Sequence, residues 1–146
     1  MSGKVWSNEY RTTTVCIDEY SRSRFAGRLY NPYLETGVRF DSLIDLLLQC
    51  EELLDAMRFP QSFTAPRSFT PKQPVEPAKN NNIKHSREQG RRATFSVRIF
   101  FRQNATWQGA VAWLEKGQEQ TFRSALELIF LMHSALTEGA ARAEAL

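Results

Sequence analysis

The chain is poor in the residues that carry metal and nucleophilic chemistry, with two cysteines and two histidines among 146 residues. Cys16 and Cys50 stand among aliphatic neighbours, and neither has a second Cys or His at the spacing of a zinc site. His85 and His133 have no partner with which to form a nucleophile and base pair. The sequence therefore predicts no metal site, no cofactor and no enzyme, and it predicts two buried free thiols in a reducing compartment.

Long apolar segments are also missing. The N-terminus, MSGKVWSNEY, lacks the apolar core of a signal peptide. The longest continuous apolar run, Leu128–Met132, is far too short to cross a bilayer. Both absences favour a cytoplasmic protein without a membrane partner.

Proline is concentrated in one segment. Five of the six prolines fall in residues 58–92, and prolines at this density remove backbone donors and oppose helix formation before them. The segment holds eight Lys/Arg and two Glu, whereas residues 1–57 hold six basic and nine acidic residues, and residues 93–146 hold five of each. We therefore expect a disordered basic linker over 58–92, and the high pI does not indicate nucleic-acid binding by the flanking parts.

The segments on either side of this linker resemble one another. Residues 12–54 align without a gap to residues 94–136, at an offset of 82, with eight identities in 43 positions. This likeness predicts an internal duplication. The identical pairs are Thr12/Thr94, Val15/Val97, Ile17/Ile99, Gly27/Gly109, Phe40/Phe122, Ser42/Ser124, Leu46/Leu128 and Leu54/Leu136.

Each copy begins with the same signals for three strands. A period-two run, clearest at residues 95–101, predicts the first strand. A second strand is predicted at about residues 25–30 and 106–113, with an internal glycine that marks a bulge or a close backbone approach. A short third strand ends at Phe40 in one copy and at Phe122 in the other.

A helix follows the strands in each copy. Ser42 and Ser124 begin capping-box patterns, Ser-x-x-Asp and Ser-x-x-Glu, in which the serine oxygen accepts from an early N–H and the acid reaches back. The patterns predict helices over about 42–57 and 124–137. The tail, 140–146, either extends the second helix or frays.

Both helices are apolar on every side. The runs Leu46–Leu48 and Leu128–Met132 cover all angles around the axis, which is typical of helices buried on more than one side. Because a unit of about 45 residues buries too little surface to be stable alone, we expect each helix to pack on its own sheet and on the companion repeat, or on a second copy of the chain. The predicted fold is α+β, with two tandem β-β-β-α repeats, 1–57 and 93–146, packed as one pseudo-symmetric unit.

Arginines and aromatic residues are concentrated in 98-RIFFRQNATWQG-109. Aromatic faces that stack on bases, beside guanidinium groups that hold phosphate, are typical of single-stranded nucleic-acid binding. The same residues could instead form core and ion pairs across the sheet, or a protein contact. The candidate contact residues are Arg98, Phe100, Arg102, Asn104 and Trp107, with Arg91 and Arg92 at the end of the linker.

Four resemblances bear on this chain. Asn104, Thr106 and Gly109 resemble the Asn/Asp-x-Ser-x-x-Gly element of PilZ domains, which bind cyclic dinucleotides, although Thr106 replaces the serine. The β-β-β-α order is similar to HicB-like antitoxin domains, and its tandem form is similar to PUR proteins, which bind single-stranded nucleic acid. The segment RQNATWQG…FRSALELI also resembles a family of small bacterial proteins, which implies no activity.

These features together predict a non-enzymatic binding or regulatory module that acts mainly through protein–protein contacts. Its partner would be another protein or a second copy of the chain, and the linker would serve as a tether or as a weak anion-binding arm. The alternative is a single-stranded nucleic-acid-binding protein that uses the Arg/aromatic sheet surface.

Overall fold

Six strands and two helices make up the computed structural model, which describes residues 11–34, 36–58, 60, 67, 69 and 89–145. The strands form one antiparallel sheet, so the predicted α+β class is confirmed. The elements are β1 (Thr12–Tyr20), β2 (Phe25–Tyr30), β3 (Val38–Phe40), α1 (Leu43–Met57), β4 (Ala93–Phe101), β5 (Gln108–Trp113), β6 (Gln118–Phe122) and α2 (Ala125–Ala145). Their order across the sheet is β3-β2-β1-β4-β5-β6.

The two halves of the sheet join through β1 and β4. These strands pair antiparallel with Thr14 opposite Ser96, and these two residues are 82 positions apart. In the other strand pairs, corresponding residues of the two halves are also 82 positions apart. A two-fold rotation about an axis between Thr14 and Ser96 therefore relates one set of strand pairs to the other. The corresponding pairs are Ile17–Gly27 and Ile99–Gly109, Gly27–Phe40 and Gly109–Phe122, and the register shifts at Ile17/Glu19 and Ile99/Phe101.

Serine caps begin both helices, as the capping-box patterns predict. The Ser42 Oγ accepts a hydrogen bond from the Asp45 N–H at 3.0 Å, and the Ser124 Oγ accepts one from the Glu127 N–H at 3.1 Å. Each acid in turn accepts from the N–H before the cap, at Asp41 and at Arg123.

The second helix continues through Gly139 to Ala145, so that of the two predicted alternatives for the tail the structure has the extended helix. A glycine inside a helix costs only about 1 kcal/mol relative to alanine. The residues beyond it, Ala140–Ala145, include four alanines, the strongest helix former.

A single apolar core lies between the sheet and the two helices. Val15 and Ile17 of β1 share it with Phe95 and Val97 of β4, so the core is continuous across the junction between the two halves. Leu46, Leu53 and Met57 enter it from α1, and Leu128, Met132 and Leu136 enter it from α2. Both helices therefore cover the same side of the sheet.

Most of the predicted linker lies outside the described residues, namely 59, 61–66, 68 and 70–88. Its described ends belong to the folded structure. Arg58 ends α1 in the left-handed conformation, and Pro60 is buried. At the other end, the Arg92 N–H donates to the Ile17 carbonyl at 2.8 Å, which places residues 89–92 against β1.

The glycines predicted to mark a bulge or a close approach, Gly27 and Gly109, lie where the backbones crowd. A Cβ on Gly27 would come within 1.9 Å of the Cys16 carbonyl oxygen, and a Cβ on Gly109 within 1.9 Å of the Arg98 carbonyl oxygen. No side chain fits there without a shift of the neighbouring strand.

We expect Gly109→Ala to lower the free energy of unfolding by about 2–4 kcal/mol, because the added methyl group collides with a backbone atom. Gly117→Ala is the control, since Gly117 has open space around it and only a positive φ of 62°. That substitution should cost about 1 kcal/mol. Urea unfolding followed by tryptophan fluorescence measures both, and equal losses would show that close approach does not restrict position 109.

Candidate functional site

Two of the candidate contact residues, Arg102 and Trp107, are buried and hold α1. The Arg102 Nη1 donates to Asp55 Oδ1 at 2.7 Å and to Glu51 Oε2 at 3.3 Å, and its Nε donates to the Pro60 carbonyl at 2.6 Å. The Trp107 Nε1 donates to the other Glu51 oxygen at 2.7 Å. We call these contacts the Arg102 clasp. Because the Arg102 side chain is only 4% exposed, it has no room for a phosphate.

A second contact occupies the corresponding place in the other half. Tyr20 and His133 stand 82 positions from Arg102 and Glu51, and the Tyr20 hydroxyl is hydrogen-bonded to the His133 Nδ1. Tyr20 also packs edge-on against Phe25, which corresponds to Trp107. Each half therefore reaches across to the helix of the other half.

Arg98 and Phe100 remain together on the side of the sheet that the helices do not cover. The Arg98 guanidinium lies 5.4 Å from the centre of the Phe100 ring and donates to Glu119 at 3.1 Å. Arg91 and Arg92 lie beside residues 17–20 at one end of β1, whereas Arg98 pairs with Thr12 at the other end. A strand rises about 3.3 Å per residue, so the two groups are separated by roughly 17–26 Å. The structure thus divides these six candidate residues into three groups, and the seventh, Asn104, lies in a turn of its own.

The residues that resemble a PilZ element shape a turn. Asn104 and Ala105 both have positive φ, 58° and 57°, and the Thr106 N–H closes the turn onto the Gln103 carbonyl at 3.1 Å. The Thr106 hydroxyl accepts from the first N–H of α2, that of Ala125, at 2.9 Å. Asn104 is exposed at the tip.

Arg28 of β2 lies on the side of the sheet that the helices do not cover. The Arg28 Nε and Nη2 donate to the two Asp18 oxygens at 2.9 and 3.1 Å, and Nη2 also donates to the Gln89 carbonyl at 2.9 Å. Burial raises the pKa of Asp18, but hydrogen bonds from Arg28 and from the Arg91 N–H outweigh it and bring the pKa below its ordinary value. This pair ties the end of the linker to β1 and β2.

The sequence analysis missed a set of exposed apolar residues on the two helices. Ile44 and Leu48 on α1 are 70% and 56% exposed, and Leu126 and Phe130 on α2 are 59% and 61% exposed. We call these four residues the outer helix face. They show that the two halves of one chain do not cover every apolar helix residue, and packing on a second copy of the chain, the predicted alternative, stays a prediction. The sequence contained a signal for them. In a helix segment that is apolar at every angle, some residues cannot be buried by a single sheet.

A narrow apolar cleft separates the two helices beneath this face. Leu47, Cys50 and Leu54 line it from α1, and Leu128 and Met132 line it from α2. Its volume is about 20 Å³, enough for about one water molecule. The cleft is therefore a seam of the core and has no space for a ligand.

Cys50 lies in this seam and Cys16 lies within the sheet, and neither forms a disulfide. Burial raises the pKa of the Cys50 thiol to about 12, and the neighbouring Glu51 carboxylate adds to the rise. At neutral pH the thiol is protonated and therefore a poor nucleophile.

No family model, curated protein or solved structure matches this chain. Neither helix, as far as the structure describes them, is long and apolar enough to span a bilayer. The described residues also contain no group of three or more His, Cys, Asp or Glu placed to hold a metal ion.

We expect Arg102→Met to destabilise the protein by roughly 2–4 kcal/mol, because it leaves Asp55 and Glu51 without their cation in a half-buried place. Arg98→Met is the matched control. Its ion pair with Glu119 is about half exposed, so that its loss should cost less than about 1 kcal/mol. Urea unfolding compares the two variants, and similar losses would contradict a structural role for Arg102.

Alkylation of Cys50 by iodoacetamide should be slow at pH 8 and should still accelerate above pH 10, because the raised pKa keeps the thiolate scarce. Mass spectrometry of the Cys50 peptide gives the rate at each pH, with the urea-unfolded chain as control. The control should level off near the ordinary thiol pKa. A folded-state rate that levels off at the same pH would contradict the expected shift.

Proposed function

We propose that this chain is a non-enzymatic protein-binding module and that the outer helix face is its binding surface. One observation carries the proposal. Four large apolar side chains, each more than half exposed, stand as two i,i+4 pairs on neighbouring helices. Residues at this spacing lie on the same side of a helix, so each pair forms one apolar ridge.

The fold does not require apolar residues at these positions. The core cluster contains Leu46, Leu53, Leu54 and Met57 of α1 but neither Ile44 nor Leu48. Burial of a leucine or phenylalanine side chain is worth about 1.5–3 kcal/mol, a gain that the isolated chain does not obtain here. Contiguous exposed apolar surface in water-soluble folds marks interaction sites.

The proposal includes an origin for the face in two copies of one β-β-β-α unit. Ile44 and Leu48 stand 82 positions before Leu126 and Phe130, the same offset that relates the strand ladders. A unit with one exposed apolar ridge, once duplicated and joined through β1 and β4, presents two ridges on one side of the sheet. Residues 58–92 would then be the tether between the copies.

The contacts between halves favour a rigid binding surface. The Arg102 clasp attaches α1 to the strands of the second half, and the Tyr20–His133 contact attaches α2 to the strands of the first half. A surface that is already ordered loses less conformational entropy when a partner binds.

Single-stranded nucleic-acid binding is the second candidate function, and it would use the opposite side of the sheet. It is favoured by the exposed pair of Arg98 and Phe100. The pair alone offers one cation and one ring, because Arg102 and Trp107 are engaged in the clasp. Affinity for an oligonucleotide would fall steeply as salt rises, whereas an apolar contact would not.

The test is co-purification of a partner from the native host at about 0.5 M salt, where exposed ion pairs are screened. We expect Phe130→Glu to reduce the bound partner at least about tenfold, because a carboxylate resists desolvation in an apolar interface.

Leu114→Glu is the matched control. Leu114 is 50% exposed, but it lies on the turn between β5 and β6, and its substitution should leave binding unchanged. Binding that survives Phe130→Glu, or that both substitutions abolish equally, would contradict the assignment of the surface. Recovery of oligonucleotide in place of protein, in a form lost at high salt, would favour the second function.

A further inference from the structure

We infer that the occupant of the outer helix face is a second copy of this chain, with α1 of each copy packed antiparallel on α2 of the other. The inference rests on the proposed function and goes beyond it by naming the partner and the geometry. It is carried by the direction of the two helices and by the charges that flank the apolar ridges.

The direction of the helices follows from the sheet. Because the two-fold rotation between Thr14 and Ser96 relates the strand pairs, α1 and α2 run in opposite directions on the same side of the sheet. Two copies can stack through this side about an axis parallel to the helices, which places α1 on α2 of the other copy. An axis across the helices would instead place α1 on α1 and α2 on α2. A two-fold interface permits either arrangement.

The charges beside the ridges distinguish the two arrangements. The apolar pair of α1 lies between two exposed acids, Asp41 just before the helix, which is 3.6 Å from Arg24, and Glu52 within it. The corresponding pair of α2 lies between Arg123 just before the helix, whose side chain is 88% exposed, and the exposed His133. The ridge of α1 is thus flanked by an acid at each end, whereas the ridge of α2 is flanked by Arg123 with its partner Glu127 at one end and by His133 at the other.

When α1 lies antiparallel on α2 of the other copy, with the apolar pairs in register, Glu52 comes opposite Arg123 and Asp41 comes opposite His133. When α1 lies antiparallel on α1, Asp41 comes opposite Glu52, and the like charges repel. Arg123 already donates to Glu127 at 2.8 Å, but such an exposed pair within one helix is weak and leaves guanidinium donors for another carboxylate. Electrostatic complementarity therefore selects the mixed arrangement.

Sedimentation equilibrium of the full chain tests the inference. The wild-type protein should approach twice its monomer mass of 16.8 kDa at concentrations on the order of 10 to 100 µM. Phe130→Glu should weaken the dimer about 100-fold, because both copies of the interface receive the charge. Leu114→Glu should leave the dimer intact, and urea unfolding shows whether each variant still folds.

A charge reversal tests the arrangement itself. Glu52→Arg should weaken the dimer, because it places two arginines opposite each other, and the double change Glu52→Arg with Arg123→Glu should restore it. A dimer that responds to neither change uses another surface, and this result would overturn the inference, as would a double variant no tighter than Glu52→Arg alone.

The two proposals fail in different ways. A wild-type chain that stays monomeric at the highest of these concentrations overturns the inference. If it still binds another protein in a manner that Phe130→Glu abolishes, the proposed function stands. A monomer that binds no protein through this face overturns both.

Discussion

The pairing of β1 with β4 is the interaction on which the rest of the structure depends. Its register, with Thr14 opposite Ser96, merges two three-stranded sheets into one and brings Val15 and Val97 into a single core. A half of about 45 residues would bury too little apolar surface to be stable by itself. The same ladder places both helices on one side of the sheet, and it brings the Arg102 hairpin within reach of Glu51 on the other half's helix. Core, clasp and outer helix face all follow from this one junction.

That junction also explains why apolar side chains remain in water. In a two-layer structure, each helix rests on the sheet with one side and faces its neighbour across a seam with another, so a stripe of roughly 100° suffices for burial. Leu46 and Leu54 occupy that stripe, whereas Ile44 and Leu48 lie beyond it. Neither the sheet nor the other helix can cover the third side. The apolar residues on this third side are therefore not needed for the stability of one chain, and the proposed binding surface rests on them.

Local signals predicted the elements well, because strands, caps and tight approaches depend on near neighbours. The Ser42 and Ser124 caps and the crowding at Gly27 and Gly109 follow from patterns within a few residues. Long-range choices were not predictable. The alternating pattern of β1 and β4 does not show which strand edges pair. The partners of Arg102, Glu51 and Asp55, are about 50 residues away in the chain, so the sequence did not reveal them and Arg102 was predicted to contact a ligand. Helix periodicity likewise shows which sides of a helix are apolar but not which of them is exposed to solvent.

The two halves provide an internal comparison of what each surface requires. The chemistry of the two cross-contacts differs completely, since Arg102 contacts Glu51 in one and Tyr20 contacts His133 in the other, yet each joins a strand end of one half to the helix of the other half. The fold therefore needs contact at this place and tolerates either an ion pair or an aromatic pair. At the outer helix face the chemistry is the same in both halves, with Ile44 and Leu48 matched by Leu126 and Phe130. Exposed positions ordinarily accept polar residues at little cost. A surface that is apolar in both halves, where folding does not require it, supports the proposal that a partner binds there.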